Sequence, residues 1–353
     1  MGYEVDFLPV GNSNGDAICI RYGTDATGYT IHVVDGGYTD TGQAVVDHIR
    51  QYYGAPGFVD HVVLSHADQD HASGLITVME QCTVGALWMN RPWLHAGEII
   101  DNFHANYTVQ GLWKTIREAY PLLVELERIA ISKGVPIYEV FAGTQIGAFT
   151  VLAPTRQRYL ALIPELDRTP TSYAETQKTT GQIFAEALRK AVKWVESWWA
   201  ENLDENPPPV SASNEASLVQ LGMIDGRTIL LTADVGPVGL TEAANVAAYY
   251  GVLSPPNVVQ IPHHGSRRNV TPTVLNRWLG PPVAEGTNRG TAFCSVGLNK
   301  PEYPRHRVKN AFLRRGYGVI ATRDTWKSSY YQLPPKPGSV PVASEPFSYE
   351  YHE

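Results

Sequence analysis

Four side chains able to bind a metal fall within six residues in His66-Ala67-Asp68-Gln69-Asp70-His71. Imidazole and carboxylate together suit zinc or manganese, and a strand-to-helix turn can aim alternate side chains at one point. A helix N-terminus is the competing explanation, because Asp68 and Asp70 would both be favoured beside its orphan amides. That explanation accounts for the acids and leaves the two histidines without a purpose. One turn cannot complete a metal site, so acids and histidines that end other apolar strands are the next candidates. Asp234 follows Thr228-Ile229-Leu230-Leu231-Thr232-Ala233, and His263-His264 follow Val258-Val259-Gln260-Ile261-Pro262.

The elements that must carry these residues follow from periodicity. Short apolar runs at Val5 to Pro9, Asp16 to Tyr22 and Tyr29 to Asp35, separated by Gly, Asn and Thr, predict a β-meander. Helical spacing over Gln43 to Tyr53 precedes the buried strand Asp60 to Ser65, whose end delivers His66. A helix over Ala72 to Cys82 and a strand over Val84 to Met89 begin a βαβ rhythm. Helical spacing runs from His95 to about Lys133, and strands return over Val135 to Leu152. Residues 154–209 change character, with a predicted helix from Gln182 to Asn202 and a Pro207-Pro208-Pro209 boundary. Asp225-Gly226 between apolar runs predicts a hairpin of Ser217 to Met223 with Arg227 to Ala233. Helices over Thr241 to Tyr250, Thr271 to Leu279 and Arg305 to Arg315 then alternate with strands over Asn257 to Pro262, Thr291 to Val296 and Gly318 to Thr322. Two halves that each open with a meander and close with βα units fit a four-layer αβ/βα sandwich better than a Rossmann sheet.

The motifs, taken in order, resemble the metallo-β-lactamase superfamily, and within it the hydrolase domain of the DNA-uptake protein ComEC and its soluble relatives. Asn14-Gly15-Asp16-Ala17 and Val34-Asp35-Gly36-Gly37 are similar to the family's opening Gly-Asp-Ala and Asp-Gly-Gly hairpins. His66 to His71 with Gly74-Leu75 resembles its principal metal motif. Asn214-Glu215-Ala216-Ser217-Leu218-Val219, Leu231-Thr232-Ala233-Asp234 and Pro262-His263-His264-Gly265-Ser266 resemble its later motifs. The resemblance implies an α/β metallo-β-lactamase sandwich over residues 1–333 with helical insertions at about 96–133 and 155–209. Residues 334–353 would be a C-terminal surface extension. Asp68 departs from the pattern, standing where histidine is usual and offering a harder, anionic oxygen. The family's histidine on a middle loop has no clear counterpart, with His95 and His104 the nearby candidates.

The same resemblance implies metal ligands His66, Asp68, Asp70, His71, Asp234 and His263, with Asp234 bridging and Asp70 also orienting a water. One or two Zn2+ ions, or Mn2+, are the expected cofactor. Two such ions about 3.5–4 Å apart can share a hydroxide and clamp the oxygens of an in-line displacement. A proton for the leaving group would come from His264 or from His306, which lies in a loop that resembles the family's Asn-x-Tyr-Gly-His-Pro; a plain helix-start histidine is the alternative for His306. Arg267 and Arg268, directly after the His-His-Gly-Ser turn, suit phosphate, as does the cluster of Arg305, Arg307 and Lys309, unless these are solvated charges. Asn214, Ser266, Asn299 and His95 are expected beside the substrate. Trp93, next to Arg91, is a candidate ring contact. The other tryptophans read as core, with Trp194 and Trp198 one helical turn apart.

Composition narrows the function classes. The net charge of −7 argues against indiscriminate binding to long nucleic acid, although a local basic patch remains open. Cys19, Cys82 and Cys294 are too few and too scattered for a disulfide framework or a thiolate zinc site. No secretory signal or membrane-length apolar run is visible, so a cytoplasmic protein without a membrane partner is expected. The expected activity is metal-dependent hydrolysis of a phosphodiester in a nucleic acid or nucleotide. Hydrolysis of a carbonyl ester, lactone or β-lactam, and metal or nucleotide binding without turnover, are the alternatives.

Overall fold

The computed structural model describes residues 1–53, 58–103, 107–169 and 193–353. Its strands are β1 (Gly2–Phe7), β2 (Ala17–Thr24), β3 (Gly28–Gly36), β4 (Phe58–Val63), β5 (Thr83–Trp88), β6 (Ile137–Tyr138), β7 (Gln145–Ile146) and β8 (Phe149–Ala153). They continue with β9 (Lys193–Val195), β10 (Val219–Ile224), β11 (Arg227–Leu231), β12 (Val258–Gln260), β13 (Gly290–Cys294), β14 (Tyr317–Ala321), β15 (Lys327–Tyr331) and β16 (Glu350–His352). One seven-stranded sheet has the order β15-β1-β2-β3-β4-β5-β6 and the other β14-β13-β12-β11-β10-β8-β7. Each sheet is antiparallel over its meander and parallel over its βα units.

Three apolar clusters define the layers. Between the sheets, Val5, Phe7, Ile18 and Val63 meet Val151, Ile229, Leu231 and Phe293, with Phe7 stacked on Phe293 at 4.7 Å. Outside the first sheet lie the helices α1 (Thr39–Tyr52), α2 (Gln69–Gln81), α3 (Val109–Ala119) and α4 (Pro121–Lys133), which contribute Val45, Ile49, Leu75, Val78, Leu112, Ile116 and Leu126 to its outer core. Outside the second lie α5 (Pro237–Tyr249), α6 (Pro272–Leu279) and α7 (His306–Arg314), which bury Leu240, Ala244, Leu275 and Phe312. Strands buried on both faces read as continuous apolar runs, which is why β4, β11 and β12 stand out in the sequence. The architecture is the four-layer αβ/βα sandwich expected. Among the described residues no helix is long and apolar enough to cross a membrane.

Two expectations about local structure change, and one strand was not expected. The helical run from His95 to Lys133 is broken into a 3-10 turn at Pro92–His95, a short helix at Ala96–Ile99, then α3 and α4, with Pro121 starting α4. Of the helix expected from Gln182 to Asn202, residues 182–192 lie outside the described residues, and the rest is not helical. Lys193–Val195 is a strand that pairs antiparallel with β16, so Trp194 and Trp198 do not share a helix face. Strand β15, with only its two tyrosines to signal it, is held as an edge by pairing with β1.

Residues 334–353, the expected surface extension, are anchored at two points. Lys336 reaches a solvent-excluded spot on β1, where its Nζ donates to Glu4 Oε2 at 2.6 Å and to Asp6 Oδ2 at 2.7 Å. It lies over the rings of Tyr52, Tyr53 and Trp326 at 5.3–5.7 Å. Further along, β16 pairs with β9 and buries Tyr351. Asp6 also accepts from Tyr53 Oη at 2.6 Å and pairs with His48 Nε2 at 2.8 Å. Burial works to raise its pKa, but His48 and Lys336 outweigh that and hold it down at about 2.

A depressed carboxylate stabilises the fold above its unfolded pKa near 4, and that contribution is lost as pH falls toward 2. A shift of this size corresponds to about 2 kcal/mol. Asp6→Asn is expected to lower the urea midpoint at pH 7 and to flatten the stability profile between pH 4 and 2. An unchanged slope of stability against pH in that window would show that Asp6 does not carry the effect.

Candidate metal centre

The two sheets bring their loops together at the carboxyl ends of the parallel strands. His66 follows β4, and α2 begins three residues later. Asp68 sits at the N-cap of α2 with extended backbone, yet its carboxylate caps no amide; the Asp68 carbonyl takes the Ala72 amide at 2.9 Å. The side chain instead turns to His66, with Oδ2 3.5 Å from Nε2. Helix capping therefore does not account for this acid. The start of α2 is pressed onto the end of β3: a Cβ on Gly74 would stand 1.9 Å from the Gly36 carbonyl oxygen, so only glycine allows this approach. That contact sets His71 against Asp35.

Asp35, at φ +57°, accepts from His71 Nδ1 at 2.7 Å, from the Ser65 amide at 2.8 Å and from Ser65 Oγ at 2.6 Å. Ser65 Oγ in turn lies 3.0 Å from His66 Nδ1. Both imidazoles are thus oriented from behind, with Nε2 directed forward. The second sheet supplies the facing half. Asp234 follows β11 through Thr232 and Ala233, whose amides both donate to Gln260 Oε1 at 2.9 Å. His263 and His264 are both left-handed, at φ +46° and +56°, and Gly265 follows at +79°. Such residues cost of order 1–3 kcal/mol each and persist where surroundings impose them. Here the Ser295 carbonyl accepts from His264 Nδ1 at 3.0 Å, and Asn269 Oδ1 and Asn214 Nδ2 lie 3.1 and 3.0 Å from His263 Nδ1.

One ligand atom each from Asp16, His71, Asp234 and His264 lies within 4.8 Å of every other, and all four residues are buried. Asp234 is the hub. Its Oδ2 is 3.5 Å from both His71 Nε2 and His263 Nε2, and its Oδ1 is 3.6 Å from His264 Nε2. Asp70, partly exposed, stands beside them with Oδ2 3.8 Å from His264 Nε2 and 4.0 Å from His71 Nε2. Both Asp16 oxygens, Asp234 Oδ1, His66 Nε2, His71 Nε2 and His264 Nε2 are buried without a hydrogen-bond partner. Such atoms are costly to bury unmatched.

These separations exceed hydrogen-bond length and match another geometry. Donors around a tetrahedral zinc, each about 2.0–2.1 Å from the metal, stand about 3.4 Å from one another. The donor set therefore fits a divalent cation of the zinc type. Electrostatics agree. Burial opposes charge on Asp234, but His263, His264 and His71 outweigh it and hold its carboxyl well below the usual range. Burial equally opposes charge on His71, and Asp234, Asp35 and Asp70 raise its pKa well above the ordinary value. Burial pushes the Asp16 carboxyl up. Carboxylates concentrated in a dry pocket call for positive charge, which a metal supplies more strongly than an imidazolium.

The structure thus gathers His66, Asp68, Asp70, His71, Asp234, His263 and His264, with Asn214 braced behind His263. It is His264, expected as a proton donor, that joins the four-atom cluster, while His263 stands on the far side of Asp234 with 34% of its side chain exposed. Ser266 donates its amide to the His263 carbonyl at 2.9 Å and closes the turn. Arg267 and Arg268 follow at the lip of a neighbouring cleft.

Other expected residues stand elsewhere. Trp93 is fully buried in the outer core of the first sheet, with Arg117 5.7 Å from its ring; Arg117 and Arg91 both pair with Glu127, at 2.8 and 3.1 Å. His95 is held between Glu98 and Glu139, each at 3.2 Å; burial works to lower its pKa, but the two carboxylates outweigh that and raise it. His306 begins α7 with its ring bonded to Ser348 Oγ at 2.9 Å and stacked on Tyr351, so the helix-start alternative describes it. Asn299 is exposed, with its amide on the Asn12 carbonyl at 3.2 Å. His104 lies outside the described residues.

Asp16 and Asp35 were not expected among the site residues, although both fall within the motifs that carry the family resemblance. The signal was available: each is an acid abutting a continuous apolar strand, a position where an unmatched charge is not tolerated.

No protein-family model matches the chain, and no curated protein matches it. Solved structures do. A diphosphatase of the PhnP family is similar at 10% identity over 94% of this chain and 98% of that chain, with a TM-score of 0.42. Zn2+-bound PqqB from Methylobacterium extorquens gives 10% identity over 92% and 99%, with a TM-score of 0.40. A putative metallo-β-lactamase from Thermotoga maritima gives 11% identity over 72% and 87%, with a TM-score of 0.32. At that distance the chemistry of the chain is read from its own side chains.

Because Asp35 fixes the tautomer and aim of His71, Asp35→Asn is expected to weaken zinc binding by about 10–100-fold without unfolding the protein. Titration against a chromophoric chelator measures this, with a melting curve as the control. Wild-type affinity in a folded variant would remove Asp35 from the site.

Proposed function

We propose that this protein is a metal-dependent hydrolase, with a phosphodiester as its substrate. The observation that carries this reading is the convergence of unpartnered atoms from Asp16, His71, Asp234 and His264 on one buried point beside the more open Asp70. These four residues would hold one divalent ion, and His66 and Asp68, on the other side of His71, offer ligands for a second. Such an ion supplies Lewis acidity toward a phosphoryl or carbonyl oxygen and acidifies water toward neutral pH.

The protein's own groups divide the remaining work. Asp70 faces the opening and is placed to accept the proton of an attacking water. His263, exposed on one side and braced through Nδ1, stands where a leaving group would depart. Arg267 and Arg268, three and four residues beyond His264, bring cationic groups suited to phosphate to the edge of the site. A carbonyl substrate would have no use for that pair, which favours phosphoryl chemistry.

With Zn2+ or Mn2+, the protein is expected to hydrolyse bis(p-nitrophenyl) phosphate and to lose that activity in EDTA. Asp70→Ala and Asp234→Asn should each lower kcat by at least about 100-fold. Wild-type turnover in Asp70→Ala would overturn the mechanism. Hydrolysis of lactone or acyl-ester reporters with no action on phosphodiesters would overturn the substrate class.

A further inference from the structure

Beside the His263–Ser266 turn lies a cleft of about 310 Å³ lined by Arg267, Arg268, Arg307, Trp194, Pro207 and Glu353, among others. Three arginines thus line one recess from two separate segments, the loop after the histidine turn and the first turn of α7. The two are joined: the Arg305 amide donates to the Gly265 carbonyl at 3.0 Å, which ties the segment before Arg307 to the histidine turn. Arg307 is fixed in place, with its Nε 3.2 Å from Glu353 Oε2, its Nη1 on the Asn202 carbonyl at 3.3 Å and its guanidinium 3.9 Å over the Trp194 ring. A flat cation laid on an indole is already oriented and gives up little freedom when it binds an anion.

The acids of the cleft are already engaged. Glu353 takes Arg307 and the His306 amide at 2.6 Å, and Asp204 Oδ1 takes the Asn206 amide at 2.9 Å. The indole N–H of Trp194 is buried and has no acceptor. A donor without an acceptor, beside forked cations, describes a site for an oxyanion. Size restricts it further. Ligand pockets run from about 300 Å³ upward, so this one suits a phosphate and at most one attached ring. Four residues of extended chain span at most about 14 Å, which places the Arg268 backbone within one or two phosphodiester units of His264.

We propose that this cleft binds a second phosphate of the substrate, a terminal phosphate group adjoining the one that is attacked. The inference rests on the phosphodiester reading of the metal centre and narrows it to substrates with at least two phosphates. A nucleoside diphosphate ester or a chain with a phosphorylated end has that chemistry, and a cyclic monophosphate does not.

Titration of the full-length protein with inorganic pyrophosphate in the presence of EDTA tests the cleft apart from any metal, by calorimetry and tryptophan fluorescence. Saturable binding is expected, at least 10-fold weaker in Arg268→Ser, which changes an exposed position, and weaker again when combined with Arg307→Lys. Asp234→Asn should bind pyrophosphate as the wild type does. No binding by the wild type, or equal binding by the arginine variants, overturns the proposal. Arginine-dependent binding in a protein that cleaves no phosphodiester would leave the cleft standing and remove the phosphodiesterase reading instead.

Discussion

Asp35 is bound to His71 Nδ1 at 2.7 Å behind a wall of buried apolar strands, and it is also the acceptor for both polar groups of Ser65. Every bond it makes is to a donor that is itself buried. Through Ser65 it positions His66; through His71 it positions the point on which Asp16, Asp234 and His264 converge. The glycine contact between β3 and α2 keeps those donors at bonding distance. The first sheet therefore presents its imidazoles in a fixed direction before anything binds, and preorganisation of this kind lowers the cost of capturing a cation.

The second sheet solves the same problem by strain. Ala233, His263 and His264 all hold left-handed backbone, and the side chains of Gln260 and Asn269 with the Ser295 carbonyl hold them there. Two adjacent histidines that turn this way put their rings on either side of Asp234, one buried and one facing outward. That one ring turns into the buried cluster and the other toward the opening thus arises from backbone conformation rather than from residue type.

Much of this was legible in the sequence because parallel strands buried on both faces write themselves as apolar runs, and ligands at their ends break those runs abruptly. His66, His71, Asp234 and the histidine pair were found that way. Asp16 and Asp35 were passed over although each also abuts an apolar strand, because both fall in the opening meander, before the βα units whose strand ends were searched for ligands. Trp93 misled because Arg91, two residues before it, is charged, although the ring belongs to the outer core of the first sheet. Residues 193–202 misled because Trp, Glu and Ala suit a helix. Their pairing partner, β16, lies about 155 positions away, where no local pattern could reveal it.

The pairing of β15 with β1 joins Tyr3 to Tyr331 and Phe7 to Lys327. A contact between such remote positions closes a very large loop, and contacts of this kind slow folding because their entropy must be lost before they stabilise anything. On the ribosome, β1 emerges with one flank open and keeps it open until nearly the whole second half has been made. During that interval Glu4 and Asp6 are already matched by Arg21 at 2.5 Å and His48 at 2.8 Å, and they wait only for Lys336. The tail thus closes over a pair of acids that the first fifty residues have already set in place.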